Sequence, residues 1–297
     1  MSQAEKTPSA TAPEGAARSR PPILLLVFIF LAVLIPFLFW RGTWFGLPLS
    51  EADTAKYLSS TERPRKTQHA LAQVGEQILR GDPGVKQWYP QVRALAADER
   101  AEIRLTVAWV MGQDNRSEEF HAGLLELVED SIPLVRRNAA LALVRFGDAR
   151  GLPVLRAMLR PAAVLAPEAG RLATRLQVGD KVQPGTLLAR IRTQENEEVE
   201  IRSLLPGEVQ KWLAAEGAAV SAHDAVVLLS PAEEQVWEAL RALYVIGQPE
   251  DLPDIEAFAR GVSEMPERIR QQATLTAEAI RRRAGTQETP PAQDGTG

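Results

Sequence analysis

Tyr89 to Arg104 reads YPQVRALAADERAEIR, and His121 to Arg136 reads HAGLLELVEDSIPLVR. The two lines superpose at a constant offset of 32 residues, which lays Val92 on Leu124, Leu95 on Leu127, Asp98 on Asp130, Ile103 on Val135, Arg104 on Arg136 and Ala108 on Ala140. Apolar residues recur at helical spacing on both sides of each aspartate, so each unit is a helix, a tight turn and a second helix. A period of this size marks a solenoid, in which each unit buries its apolar face against the next.

The pattern resumes after a gap. Ala140 to Leu155, ALALVRFGDARGLPVL, lies over Leu240 to Ile255, LRALYVIGQPEDLPDI, at an offset of 100, with Ala142/Ala242, Leu143/Leu243, Gly147/Gly247, Leu152/Leu252 and Pro153/Pro253 identical. That offset is one 32-residue period plus about 68 residues of something folded separately.

Asp130-Ser-Ile-Pro133-Leu-Val135-Arg136-Arg-Asn-Ala139-Ala140-Leu-Ala142-Leu143 resembles the HEAT-repeat signature. The resemblance implies a structural ladder, in which the aspartate caps the incoming helix and the arginine bonds across to the neighbouring unit. The earlier copy departs from the signature, with Ala101 near the place of the turn proline. Met265-Pro266-Glu-Arg-Ile269-Arg270-Gln-Gln-Ala273 resembles a closing HEAT helix, and Arg281 to Arg283 suit its solvent-facing end.

Between about Ala162 and Pro231 the chain changes to short Val/Leu-rich runs broken by Gly, Pro and Asp, which are strands. Its halves repeat one another. Gly170-Arg-Leu172 lies over Gly207-Glu-Val209, and Val178-Gly179-Asp-Lys-Val182 over Glu216-Gly217-Ala-Ala-Val220, implying a pseudo-twofold built from two four-stranded halves. These motifs resemble the biotinyl/lipoyl domain, a barrel-sandwich hybrid shape similar to that of membrane fusion proteins. Carrier members of that family present a modified lysine on the hairpin between the halves. Here the hairpin, Arg190 to Glu200, contains no lysine, and Lys181 and Lys211 fall at turn or strand positions. No cofactor is therefore expected. Glu195, Glu197 and Glu198 on this hairpin are candidate partner-binding residues.

Pro21 to Trp40 is an uninterrupted apolar run between Arg20 and Arg41. At about 1.5 Å per residue it reaches roughly 30 Å, the hydrocarbon thickness of a bilayer. It is expected to be a transmembrane helix contacting membrane lipid, kinked at Pro36, with the N-terminus cytoplasmic and the bulk of the chain extracytoplasmic, periplasmic in a bacterium. The expected fold class is multidomain α + β. A disordered leader (1–20) and the transmembrane helix (21–40) precede an α-solenoid of HEAT-like repeats (48–161). A small all-β barrel-sandwich hybrid domain (162–231) interrupts it. The repeats then continue (232–284) into a disordered tail (285–297).

Composition removes several classes of function. The net charge of −4, with both signs interspersed, provides no broad cationic footprint for nucleic acid. The absence of cysteine excludes disulfides, Cys-based zinc sites and thiol catalysis. Glu118 and His121 form one Glu-x-x-His, but a carboxylate-bridged metal pair requires a second copy. No Gly-x-Ser-x-Gly, Walker or dinucleotide motif occurs. Trp88, Tyr89, Trp109 and Trp237 fall on repeat helices and are expected in the core, and His69 and His223 are isolated. Gln113, Asp114 and Asn115 lie in a loop between units, the usual binding rim of a solenoid.

These readings point away from an enzyme. They point to a membrane-anchored scaffold that binds protein partners and assembles or stabilises a membrane-associated complex, with small-molecule binding left open. The alternatives are an accessory component of a transport or secretion assembly and a degenerate biotinyl/lipoyl carrier.

Overall fold

The computed structural model describes residues 27–28, 30–37, 48–261 and 265–287, and the chain divides into two units, Met1–Pro48 and Leu49–Gly297. In the first unit, α1 is helical at 27–28 and 30–37, with Phe28, Phe30 and Val33 exposed. Among the described residues no helix is long and apolar enough to cross a membrane. The expected leader at 1–20 lies outside the described residues, as does about half of the span expected at 21–40.

The second unit is built on five helix pairs among the described residues. They are α2 (Glu51–Ser59) with α3 (Pro64–Leu79), α4 (Tyr89–Ala94) with α5 (Ala101–Met111), α6 (Glu118–Leu127) with α7 (Pro133–Arg145), α8 (Leu152–Ala157) with α9 (Glu233–Ile246), and α10 (Leu252–Ala259) with α11 (Glu267–Gln287). Each second helix packs on the next, in the row α3, α5, α7, α9, α11. The α11 helix runs to Gln287, three residues past the expected boundary at 284.

Local chemistry explains these boundaries. Pro133 opens α7, where its fixed φ suits the first turn and its missing N–H removes a donor that would have no partner. Small residues then let the units close. A Cβ on Gly112 would lie 2.8 Å from the Ala142 Cβ of the next unit, and one on Gly151 would lie 3.0 Å from the Ala140 Cα. One continuous core joins Leu58, Leu71, Val92, Ile103, Phe120, Leu124, Leu143, Leu155, Leu240, Ile255 and Ile280 along the stack. Trp88 and Tyr89 are buried there, whereas Trp109 is 40 % exposed, contrary to its expected place in the core. Its ring lies across Gly75, which has no side chain to obstruct it.

Between α8 and α9 the chain leaves the stack and forms β1 (Ala162–Leu165), β2 (Gly170–Thr174), β3 (Lys181–Val182), β4 (Leu187–Arg192), β5 (Glu198–Arg202), β6 (Gly207–Trp212), β7 (Ala219–Val220) and β8 (Ala225–Pro231). They pair into two sheets with strand orders β1-β8-β6-β3 and β5-β4-β2-β7. Moving each strand four places along the sequence converts the first order into the second, so the pseudo-twofold exchanges the sheets, and each sheet takes two strands from each sequence half. Paired positions share one local structure. Gly185 and His223 both have left-handed φ, +86° and +69°, before β4 and β8. Within those turns Gln183 N–H donates to Thr186 Oγ1 at 2.9 Å and Ser221 N–H to Asp224 Oδ2 at 2.7 Å. Leu172, Leu188, Ile191, Val209, Val226 and Leu229 form a core of the sheets alone, separate from the helical one.

The strands replace one turn. Unit by unit, α5 and α7 follow the short segments Asp98–Arg100 and Asp130–Ile132, and the strands stand at the corresponding place before α9. Only Ala232 separates β8 from α9.

Candidate partner-binding surfaces

Two rows of aspartates tie the units together along opposite edges. On the edge carrying the turns within units, Asp130 Oδ1 accepts from Ile132 N–H at 2.8 Å, and its carboxylate takes a two-pronged contact from Arg104 of the preceding unit, Nε at 2.6 Å and Nη2 at 2.9 Å. Asp98 repeats the cap, accepting from Arg100 N–H at 2.9 Å. Position 72, one period before Arg104, is alanine, and the Arg100 guanidinium bonds Asp98 instead. Arg104 and Arg136 each also hold the carbonyls of their own turn, Asp98 and Glu99 in one case and Asp130 and Ser131 in the other. The ladder implied by the HEAT resemblance is thus present at Arg104–Asp130, where both side chains are largely buried. Burial pushes the Asp130 pKa up, but the bonds from Arg104 and Ile132 outweigh it and hold the carboxyl below its ordinary value.

The opposite edge carries the turns between units. Asp82, Asp114 and Asp148 each accept from the N–H two residues on, at 2.9, 3.0 and 2.9 Å. Tyr89 Oη donates to Asp114 Oδ2 at 2.8 Å, and one period later His121 Nε2 lies 2.7 Å from Asp148 Oδ2. Burial and the neighbouring Asp114 push the Tyr89 pKa up, while Arg150 first, against the opposing effect of burial, holds Asp148 well below the usual carboxylate range. His121, isolated in the sequence apart from Glu118, therefore belongs to a bond between units. Among the described residues no group of three His, Asp or Glu side chains is placed to hold a metal ion.

This edge includes the loop expected as a binding rim. Gln113 donates to the Trp109 carbonyl at 2.7 Å and accepts from Arg145 Nη1 at 2.8 Å, and Asn115 donates to the Arg145 carbonyl at 2.8 Å. Gln113 and Asn115 thus fasten the loop to the end of α7 in the following unit, while Asp114 ties it to Tyr89 of the preceding one. The hairpin divides differently. Cross-strand pairing sets Arg190 opposite Glu200 and Arg192 opposite Glu198. Glu198 contacts Arg192 at 3.3 Å and Arg190 at 3.5 Å, so its charge is compensated. Glu195 and Glu197 stand exposed in the turn with no ion pair among the described residues, beside Asn196 at φ +62°. Lys181 lies in β3 and Lys211 in β6, away from this turn.

Residues 56–166 match the family model described as HEAT repeats. The match spans the first units and ends just past β1. Among solved structures, the chain is similar to one described as a single-chain, multi-domain long-chain acyl-CoA carboxylase, at 15 % identity and a TM-score of 0.23 over 34 % of this chain and 10 % of that one. The chain thus spans about a tenth of that structure's length, and so slight a likeness carries no argument. No curated protein matches the chain.

Proposed function

We propose that this protein is a membrane-anchored, non-enzymatic scaffold whose helical repeats hold protein partners in a membrane-associated complex. The observation that carries the reading is the stack of HEAT-like pairs between α2 and α11. HEAT repeats generally mediate protein contacts, and a solenoid offers surface in proportion to its number of units. The anchor rests on the apolar run at 21–40. Crosslinking in native membranes followed by detergent purification should recover stoichiometric partners with the chain. A solitary chain in the soluble fraction would refute both the scaffold and the anchor.

The β module is read as a barrel-sandwich hybrid that carries no prosthetic group. The exchange of its two sheets by a pseudo-twofold supports the shape, and the lysine-free turn between β4 and β5 supports the second point. A swinging-arm carrier needs a projecting amine at that turn. Intact mass of natively expressed protein should equal the mass of the polypeptide. An added biotinyl or lipoyl group at Lys181 or Lys211 would overturn the reading.

A further inference from the structure

The Arg104–Asp130 contact defines what an arginine at this place in the ladder binds: a carboxylate, taken side-on by Nε and Nη2. Arg136 is the same residue one period later, and its Nη1 makes the same carbonyl bonds. One period after Asp130, however, the chain has entered the β module, and position 162 is alanine. Among the described residues, no carboxylate pairs with Arg136 and no partner meets its Nε or Nη2. The ladder stops with one arginine lacking the acid its predecessor holds.

Beside it, Arg137 is 8 % exposed, and its Nη1 is buried without a hydrogen-bond partner. Burial first, and then the adjacent Arg136 charge, lower its pKa to about 10, against a partial opposing pull from Glu238, so it remains charged at neutral pH. Both arginines line an open cleft of about 740 Å³ between the helices and the β module, which Ala162 and Leu205 also line. Arg150, Arg156 and Arg160 complete its cationic wall, paired with Asp148, Asp251 and Asp254, and Glu129 is the acidic residue in the lining. The cleft therefore contains two guanidinium groups that form no ion pair among the described residues, one of them desolvated, and an alanine where the repeat pattern calls for an acid.

We propose that this cleft is the docking site for an acidic segment of a partner protein, which supplies to Arg136 the carboxylate that Asp130 supplies to Arg104. The assignment rests on the scaffold reading above and names the chemistry of its partner. A planar carboxylate fits because the ladder already uses that geometry, and the nearby Arg137 charge draws acid into a partly dehydrated space. The alanine at position 162 and the cleft thus fall at the same place.

The test uses the full chain and a rhodamine-labelled peptide bearing three glutamates, followed by fluorescence anisotropy. The wild-type chain should bind it, and the glutamine counterpart should bind at least about tenfold more weakly. Arg136→Lys keeps the charge but loses the side-on geometry, so binding should weaken about tenfold. Arg137→Met should weaken binding while raising the thermal midpoint, because it removes a buried charge without a carboxylate; a merely structural residue would not separate these effects. Arg116→Gln, exposed in the turn between α5 and α6 and absent from the cleft lining, should change neither. Absence of wild-type binding, equal binding by Arg136→Lys, or an equal loss in Arg116→Gln would overturn the proposal. So would displacement of the peptide by inorganic phosphate at concentrations near the peptide's own Kd, which would assign the cleft to a small oxyanion. Crosslinked partners recovered equally by wild type and Arg136→Lys would reject the cleft and leave the scaffold standing, whereas none with either would reject the scaffold.

Discussion

Asp130→Ala tests the ladder most directly. It removes three hydrogen bonds at once, the cap to Ile132 N–H at 2.8 Å and both prongs of Arg104 at 2.6 and 2.9 Å. The Asp130 side chain is 7 % exposed and that of Arg104 13 %, so the substitution leaves a largely buried guanidinium without its acid. Breaking a buried pair from one side costs about 3–5 kcal/mol, and the lost cap contributes about 1 kcal/mol of the same order. For a unit of this size about 1 kcal/mol moves the thermal midpoint by roughly 2–4 °C, so the midpoint should fall by roughly 8–24 °C. Removing Arg104 as well, in Asp130→Ala with Arg104→Leu, should recover about 1–3 kcal/mol of that loss, since the stranded charge is gone. Circular dichroism melts report the total, and hydrogen exchange on α5 to α7 locates it. A loss below about 1 kcal/mol, or a double variant that costs the sum of the singles, would show that the contact is a surface pair of little consequence.

Acid should loosen the stack at the same edges. Asp98, Asp130 and Asp148 all have folded pKa values held below the ordinary one, so their contribution is present above the unfolded pKa of about 3.9 and lost as pH falls through the folded values. Melts between pH 7 and 2 should show the midpoint dropping below about pH 4, with a shallower drop in Asp148→Asn; equal slopes would refute it. Gly75→Ala drives a Cβ against the edge of the Trp109 ring and should destabilise by about 1–3 kcal/mol, with relief in the Gly75→Ala, Trp109→Leu pair; urea titration showing no such relief would refute the contact. Residues 162–231, having their own core, should melt cooperatively when expressed alone, and joining Leu159 to Glu233 through a short turn should leave a helical solenoid; loss of both transitions would show a shared core.

The helical stack and the place of its interruption were legible because both are written in spacing. Leu95, Asp98 and Arg104 recur as Leu127, Asp130 and Arg136, and a solenoid places each unit by its neighbours. The strand halves were legible for the same reason, although their division between sheets was not, since pairing joins Ala162 to Leu229 and Gly170 to Val220 across that repeat. The bonds that Gln113, Asp114 and Asn115 make to neighbouring elements were not legible. A polar loop looks the same in sequence whether its side chains meet a partner or the next turn, and only the lateral position of Arg145 and Tyr89 decides. The signal for that edge was nonetheless present, because Tyr89 and His121 stand one period apart and each faces an aspartate of a turn between units. The empty place beside Arg136 was also available, by noticing that position 162 is not an acid.

The strands β1 and β8 run side by side, Ala162 opposite Leu229, at the point where the chain leaves and rejoins the helices. The module is thus attached at both ends, at neighbouring points, by four residues on one side and Ala232 on the other. A pendant domain on one long tether samples a sphere of orientations and can visit distant sites in turn. Two short tethers at one place instead act as a bracket. Whatever the module meets is therefore presented at a fixed bearing to the helix row, and a partner long enough to touch both must match that bearing.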